Sequence, residues 1–428
     1  MKNTKRAFAL LSLGVASLAL NLRAAEDWPQ WRGANRDGKA ASFNAPKPWP
    51  KELTQKWKVE VGEGVATPSL VGDKLYVFSR QEGGEIIRCL NTSDGKELWK
   101  EKYDSLGATG PASGFSGPRA TPTVADGKVV TLGIRGVLSC LNASDGKLVW
   151  RKDEIKGWPK FFTSSSPLVI DGLCIAQLGG SDNGCVVAYD LADGKEKWKW
   201  GSDSPAYASP SAMTVGGTKL AVAITETKIV ALNTSDGKLV WETPFAVPGR
   251  GYNAATPIAD GETLIYTGSG RGVTAVKLEK GGDAFSAKDI WKDSEDSVMF
   301  NTPVLKNGLL FGLSAGNDLF CINAKDGKRA WTVPSSGSSS SSESSGGGGG
   351  RGMRGGGRGG YGSIVDAGSV MLALTPSAEL IAFEASDKGY KELARIKVAS
   401  AGTYAYPVVS GNRIFIKDQD SVTLWTVQ

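Results

Sequence analysis

Nine residues, NASDGKLVW at 142–150, return almost unchanged as NTSDGKLVW at 233–241. Further copies of the turn read Asp94-Gly95-Lys96, Asp193-Gly194-Lys195 and Asp326-Gly327-Lys328. Asp-Gly marks a turn between strands, because such turns need a positive φ that glycine adopts without steric cost. A Trp follows each turn at one offset: Trp99, Trp150, Trp198, Trp241 and Trp331. Trp291 holds the place in a drifted copy, and SDKGYKELA has Ala394 there instead. A second repeat interleaves with the first. It opens on a small residue and Pro and runs into an apolar stretch, as in ATPSLVGDKLYVF, SSPLVIDGLCIAQ and NTPVLKNGLLFGL.

The combined period is four short strands every 40 to 50 residues or so, the mark of a solenoid or a propeller. Eight such units across residues 53–428 predict an all-β fold, an eight-bladed β-propeller of four-stranded antiparallel blades. A β-sandwich also spaces its strands closely but has no reason to repeat its turn sequence. Residues 406–428 supply only three strands for the last blade. LTQKWKVEV at 53–61, with Trp57 in the docking place, reads as the missing outer strand. The ring is then closed by an N-terminal strand, which removes an exposed sheet edge. Trp57, Trp99, Trp150, Trp198, Trp241, Trp291 and Trp331 become structural, each burying against the next blade for about 2–3 kcal/mol.

The chain begins with basic MKNTKR, apolar AFALLSLGVASLAL and a small-residue end, NLRAA. This is the pattern of a secretory signal peptide over residues 1–24. Its apolar run is too short to span a bilayer comfortably. No Cys follows the cleavage region, so neither a lipid anchor nor another stable membrane anchor is expected, and the protein should be periplasmic or secreted. Residues 25–52 form an N-terminal extension. Loss of Lys2, Lys5, Arg6 and Arg23 takes the formal charge from +6 to +2, which gives no reason to expect nucleic acid. The expected state is a monomer. Residues 335–362, SSGSSSSSESSGGGGGRGMRGGGRGGYG, are a low-complexity insert expected to be disordered, because they carry too little apolar surface to offset ordering entropy. Cys89, Cys140 and Cys321 stand five residues before the turn Asp, where Ala188 and Ala231 stand in other copies. They read as small core residues, while Cys174 and Cys185 flank one hairpin and could pair.

Strand order decides which loops share a face. With strands A to D in each blade, the D-to-A and B-to-C connections lie on one face and the Asp-Gly turns on the other. The long connections are all D-to-A, and function concentrates in loops held by a rigid scaffold. Arg80, Arg135 and Arg271 are placed in B-to-C turns, and Arg119 and Arg250 near the ends of D-to-A loops. Arg119, Ser164, Tyr207, Asn253, Asn301 and Tyr404 fall just before strand A. A polar, cationic channel mouth built from these residues would receive a carboxylate, a phosphate or an acidic partner segment. The alternative is a solvated rim whose Arg pair with local acids. The chain has no His, which removes Ser–His–Asp triads and His-ligated zinc. No catalytic residue and no metal ligand is assigned.

The DGK-x-x-W turns with their TP strand openings resemble the pyrroloquinoline-quinone-type propeller repeat of the quinoprotein alcohol dehydrogenase-like superfamily. That superfamily holds quinone enzymes and non-catalytic members such as the outer-membrane assembly lipoprotein BamB. The resemblance covers about residues 53–428, and DWPQWRGANRDG at 27–38 resembles the segment that opens many exported proteins of this repeat type. Trp28, Trp31 and Trp49 are expected to pack it onto the propeller. The resemblance implies two functions. One is a cell-envelope binding scaffold with a protein partner and no cofactor. The other is a dehydrogenase of alcohols or sugars using pyrroloquinoline quinone (PQQ) and calcium, held by channel carboxylates and an Asn. The chain has neither the adjacent Cys pair nor the CxxCH haem site found among the enzymes, and it lacks the lipidation Cys of BamB. A hydrolase or sugar-binding module using the same mouth is a third possibility.

Overall fold

The computed structural model describes residues 27–40, 42–201, 203–247, 252–336 and 361–427. The proposed signal peptide, Arg250 and residues 337–360 of the insert lie outside the described residues. The strands form eight four-stranded antiparallel sheets. Seven are built from consecutive strands, the first being Ser69–Val71, Lys74–Gln81, Gly84–Asn91 and Glu97–Asp104. Blade 8 takes Val408–Ser410, Arg413–Lys417 and Ser421–Thr426 from the C-terminus and Thr54–Glu60 from the N-terminus as its outer strand. Trp57 lies opposite Leu424 in that antiparallel pair, so the closure is the one read from the sequence. Arg80 lies within strand B of blade 1, not in the turn after it.

Two belts tie the blades together. In the outer belt each Trp on strand D reaches the next blade. The indole N–H of Trp57 donates to Thr92 O at 2.9 Å, and that of Trp99 to Ala143 O at 3.2 Å. Trp150, Trp198, Trp291 and Trp331 repeat this on Leu191, Thr234, Ala324 and Ser386. Trp241 packs into the core between blades 4 and 5. The rings of Trp57, Trp99, Trp150, Trp198 and Trp291 also lie on the glycine of the next blade's turn. A Cβ at Gly146 would come within 2.4 Å of the Trp99 ring, and one at Gly194 within 2.7 Å of Trp150. The turn glycine therefore has two jobs, a positive φ and a flat bed for the preceding blade's Trp. Apart from Trp57, which faces Leu424, the residue opposite each of these Trp on strand C is small: Cys89, Cys140, Ala188, Ala231, Ala275 and Cys321. All five cysteines are free and buried, and Cys174 and Cys185 are not paired.

The inner belt explains the small residue before Pro. The backbone N–H of Ser166 donates to Ser209 Oγ at 2.9 Å, Ser209 to Thr256 Oγ1 at 3.3 Å, and Thr256 to Thr302 Oγ1 at 2.9 Å. Thr302 donates to the Tyr406 hydroxyl at 3.1 Å, and Tyr406 to Thr67 Oγ1 at 2.9 Å. Pro follows because strand A begins there and a first strand position tolerates a residue with no N–H. Blade 7 lacks this Pro, and the longer Tyr406 side chain reaches past it.

The extension at 27–49 fills the channel inside this belt. Asp27 Oδ1 accepts from Gly72 N at the A-to-B turn of blade 1, and Trp28 exchanges two backbone bonds with Leu70. The segment turns at Trp31, whose Nε1 donates to Thr256 Oγ1 at 2.9 Å, and returns past Asp366 to Gly411. Trp28 is 1% exposed and Trp49 lies against Phe43. The extension is thus a plug inserted from the short-turn face, a role that packing of its Trp residues alone did not suggest.

Candidate functional site

The tip of the plug floors a cavity of about 240 Å³ on the long-loop face. All eight D-to-A connections contribute to its wall. The single 3₁₀ helix among the described residues, Gly110–Phe115, brings Pro111, Ala112 and Phe115. Phe161 and Tyr252 come from the second and fourth connections. The rest obey one rule. In seven blades the residue three before the strand-opening Pro lines the mouth: Val65, Arg119, Ser164, Tyr207, Ala254, Phe300 and Tyr404. Tyr361 holds the equivalent place in blade 7.

Aromatic rings dominate this wall and touch in sequence. Phe161 meets Tyr252 edge-on at 4.9 Å, Tyr252 stacks on Phe300 at 5.9 Å, and Phe300 stacks on Tyr361 at 4.3 Å. Tyr361 and Phe115 each meet Tyr404 at 4.9 Å. Tyr361 ends the low-complexity insert, so the end of that insert forms part of the wall.

Of the residues expected at the mouth, Arg119, Ser164, Tyr207 and Tyr404 line the cavity together. Among the described residues Arg119 is the only charged group on its wall. Its Nη1 donates to Phe161 O, and its Nη2 to Phe115 O at 3.2 Å. Burial holds its guanidinium below the usual range. The Tyr207 hydroxyl accepts from Phe161 N at 3.0 Å, and burial pushes it up to about 12. Ser164 Oγ donates to Tyr207 O.

Arg250 lies outside the described residues, and Arg135, Arg271, Asn253 and Asn301 sit away from the cavity. Arg135 donates to Leu106 O and Gly107 O and lies 4.7 Å over the Trp158 ring. Arg271 donates to Phe245 O and Asn253 Oδ1 and lies 3.7 Å over Phe245. Asn253 Nδ2 donates to the carbonyls of Thr225, Glu226 and Phe245. Asn301 is 1% exposed and donates to Leu313 O. These groups fasten loops to blades. The physical reason is local. A B-to-C turn abuts the D-to-A loop beside it, so its Arg finds carbonyl oxygens and ring faces before it can reach the axis. Among the described residues the mouth is therefore aromatic with one cation. The expected list was one residue early at Asn253 and one late at Asn301, whose neighbours Ala254 and Phe300 carry the rule.

A second hollow of about 700 Å³ lies on the short-turn face between Ala45–Trp49 of the plug and blades 6 and 7. Its Lys306 is bonded to Asp366 at 2.6 Å.

The fold and its repeats define a PQQ-like β-propeller. The family model described as outer membrane protein assembly factor BamB matches residues 83–333, more than half of the chain, and the chain belongs to that family. It is 26% identical to the outer membrane protein assembly factor BamB of Xanthomonas campestris pv. campestris, over 66% of this chain and 73% of that protein. It is 28% identical to tetrathionate hydrolase of Acidithiobacillus ferrooxidans, over 55% of this chain but only 41% of that protein. Among solved structures, BamB from Moraxella catarrhalis superposes with a TM-score of 0.61 at 14% identity, over 87% of this chain and 97% of that one. Quinohemoprotein alcohol dehydrogenase from Comamonas testosteroni gives 0.66 at 15% identity, over 96% of this chain and 82% of that one.

The calcium-bound quinone implied by the enzyme side of the resemblance needs convergent oxygen ligands, carboxylates above all. Among the described residues the mouth has no Asp or Glu on its wall. No group of three or more Cys, Asp or Glu able to hold a metal occurs among the described residues. The residues of the mouth do not fit that pair, and no chemical step is derived through it.

Proposed function

We propose that the chain is an exported binding scaffold of the cell envelope that holds a segment of a partner protein in the aromatic mouth of its long-loop face. The observation that carries this reading is the wall itself, a run of touching aromatic rings with one guanidinium and no carboxylate among the described residues. Rings offer large apolar area at low entropy cost, and Tyr hydroxyls give a polar edge, the composition of protein-binding surfaces. A cavity of about 240 Å³ takes one or two side chains of an extended segment, with the Arg119 guanidinium beside them for a backbone carbonyl or a carboxylate. The likeness to proteins named as assembly factors of the outer membrane supports an envelope partner. No helix among the described residues is long and apolar enough to cross a membrane.

The test is site-specific photo-crosslinking in intact cells. A crosslinker at Phe300 should capture a discrete protein, and one at Lys195 on the short-turn face should not. Equal capture at both positions would remove the mouth as the binding site. Calorimetric titration of the mature protein with pyrroloquinoline quinone, with and without calcium, tests the dehydrogenase reading. Calcium-dependent binding at micromolar affinity would replace the scaffold reading with that one.

A further inference from the structure

The plug carries two arginines into the centre of the channel. Arg32 is 0% exposed and Arg36 is 7% exposed. Both adopt positive φ, 61° and 59°, a backbone conformation non-glycine residues seldom take. The turn of the plug thus holds both side chains in a fixed inward direction. Arg32 Nη2 donates to Pro303 O at 2.6 Å and Asp37 O at 3.2 Å. Arg36 Nη1 donates to Pro167 O at 3.0 Å and Gln30 Oε1 at 3.1 Å, and its Nη2 to Ser166 O at 3.1 Å. Every one of these acceptors is neutral. Neither guanidinium forms an ion pair among the described residues. The one carboxylate near Arg32, that of Asp37, is turned to Lys39, with its Oδ1 accepting from Lys39 N at 3.2 Å.

Three buried donor atoms remain without an acceptor among the described residues: Nε and Nη1 of Arg32 and Nε of Arg36. Buried donors are almost always satisfied, and buried charges are almost always paired. Burial and the nearby Arg32 charge lower Arg36 to about 9, so it still carries its proton at neutral pH. Two adjacent cations in a region of low dielectric thus lack acceptors for these three donors and lack negative charge. Water supplies the first but not the second. Space is limited, since a Cβ on Gly38 would stand 2.8 Å from Val304 and 2.9 Å from Arg32 Nη2.

We propose that the central channel binds a small inorganic anion of halide size, held by the unsatisfied N–H groups of Arg32 and Arg36. The anion neutralises the pair and fixes the plug to the blades that its neutral bonds already reach, blades 3 and 6. The site is separate from the mouth, which the plug meets only through Trp31.

The experiment uses the mature full chain. Thermal unfolding is followed as sodium chloride replaces sodium gluconate at constant ionic strength. A saturable rise of about 3 °C in Tm is expected for the wild type, and none for Arg36→Met. Crystals soaked in sodium bromide provide a reading that does not depend on the variant folding. An anomalous peak within hydrogen-bond distance of both guanidinium groups supports the site. Density for water alone at those groups overturns the proposal, whatever the melting curves show.

Discussion

The ring of Trp198 in blade 3 lies on Gly237 in the turn of blade 4, so closely that a Cβ at Gly237 would stand 2.5 Å from Cε3. Gly237 also has a φ of 71°. Gly237→Ala therefore meets two penalties, a left-handed backbone and a displaced indole that loses its bond to Thr234 O. A cost of about 2–4 kcal/mol is expected. Gly261 has a φ of 58° but nothing within 4 Å of its Cβ position, so Gly261→Ala should cost only about 1 kcal/mol. Urea unfolding of both variants checks the contrast. Equal losses would mean that the bed under Trp198 contributes nothing.

The seam between blades 7 and 8 solves the absence of a Trp at Ala394 in reverse. Trp425 of blade 8 donates to Val398 O at 3.1 Å, back toward blade 7. Trp425→Ala should cost about 2–4 kcal/mol, and Trp425→Phe about 1 kcal/mol for the lost bond. Hydrogen exchange of Glu392–Lys397 should quicken in the first variant and change little in the second.

Lys417 pins the closure. Its buried ammonium donates to the carbonyls of Gly62, Gly64, Asp418 and Gln419, at 3.3, 2.9, 2.7 and 3.0 Å. Burial lowers it to about 8, against about 10.4 in an unfolded chain. Between these values the unfolded chain binds more protons than the folded one. This group therefore makes stability rise with pH across that window and leaves it flat below about 8. Lys417→Met abolishes the titration. The wild-type minus variant difference in unfolding free energy should climb by roughly 2–3 kcal/mol between pH 8 and 10.4, and stay level from pH 6 to 7.5. Urea unfolding at a series of pH values reads it directly, and a level difference throughout would place the ammonium in a more solvated setting.

Arg119 joins the two loops that carry Phe115 and Phe161 through their carbonyl oxygens. Arg119→Gln should loosen both loops, cost no more than about 2 kcal/mol of global stability, and weaken capture at the mouth. Faster hydrogen exchange confined to residues 106–118 and 156–164 is the expected signature.

The fold was legible because its two belts are periodic. The Asp-Gly turn, the Trp five residues on, and the Ser/Thr-Pro opening recur in phase, since each answers a contact that most blades make with the next. The mouth was legible only in part. Arg119, Ser164, Tyr207 and Tyr404 were visible because they precede strand A, and the same offset marks Phe300 and Tyr361. Phe115 and Phe161 have no fixed phase. They stand in loops of unequal length, and only the folded loops bring them to the axis.

The sequence by itself determined the blade count, the blade-docking Trp residues and the N-terminal strand that closes the ring, because each depends on contacts between neighbouring repeats. Only the tertiary structure decided where residues 27–49 go and what the mouth is made of. A plug is read by seven blades at once, and a channel wall is shared by eight loops far apart in the chain. Neither leaves a period in the sequence, because each residue there meets a different blade.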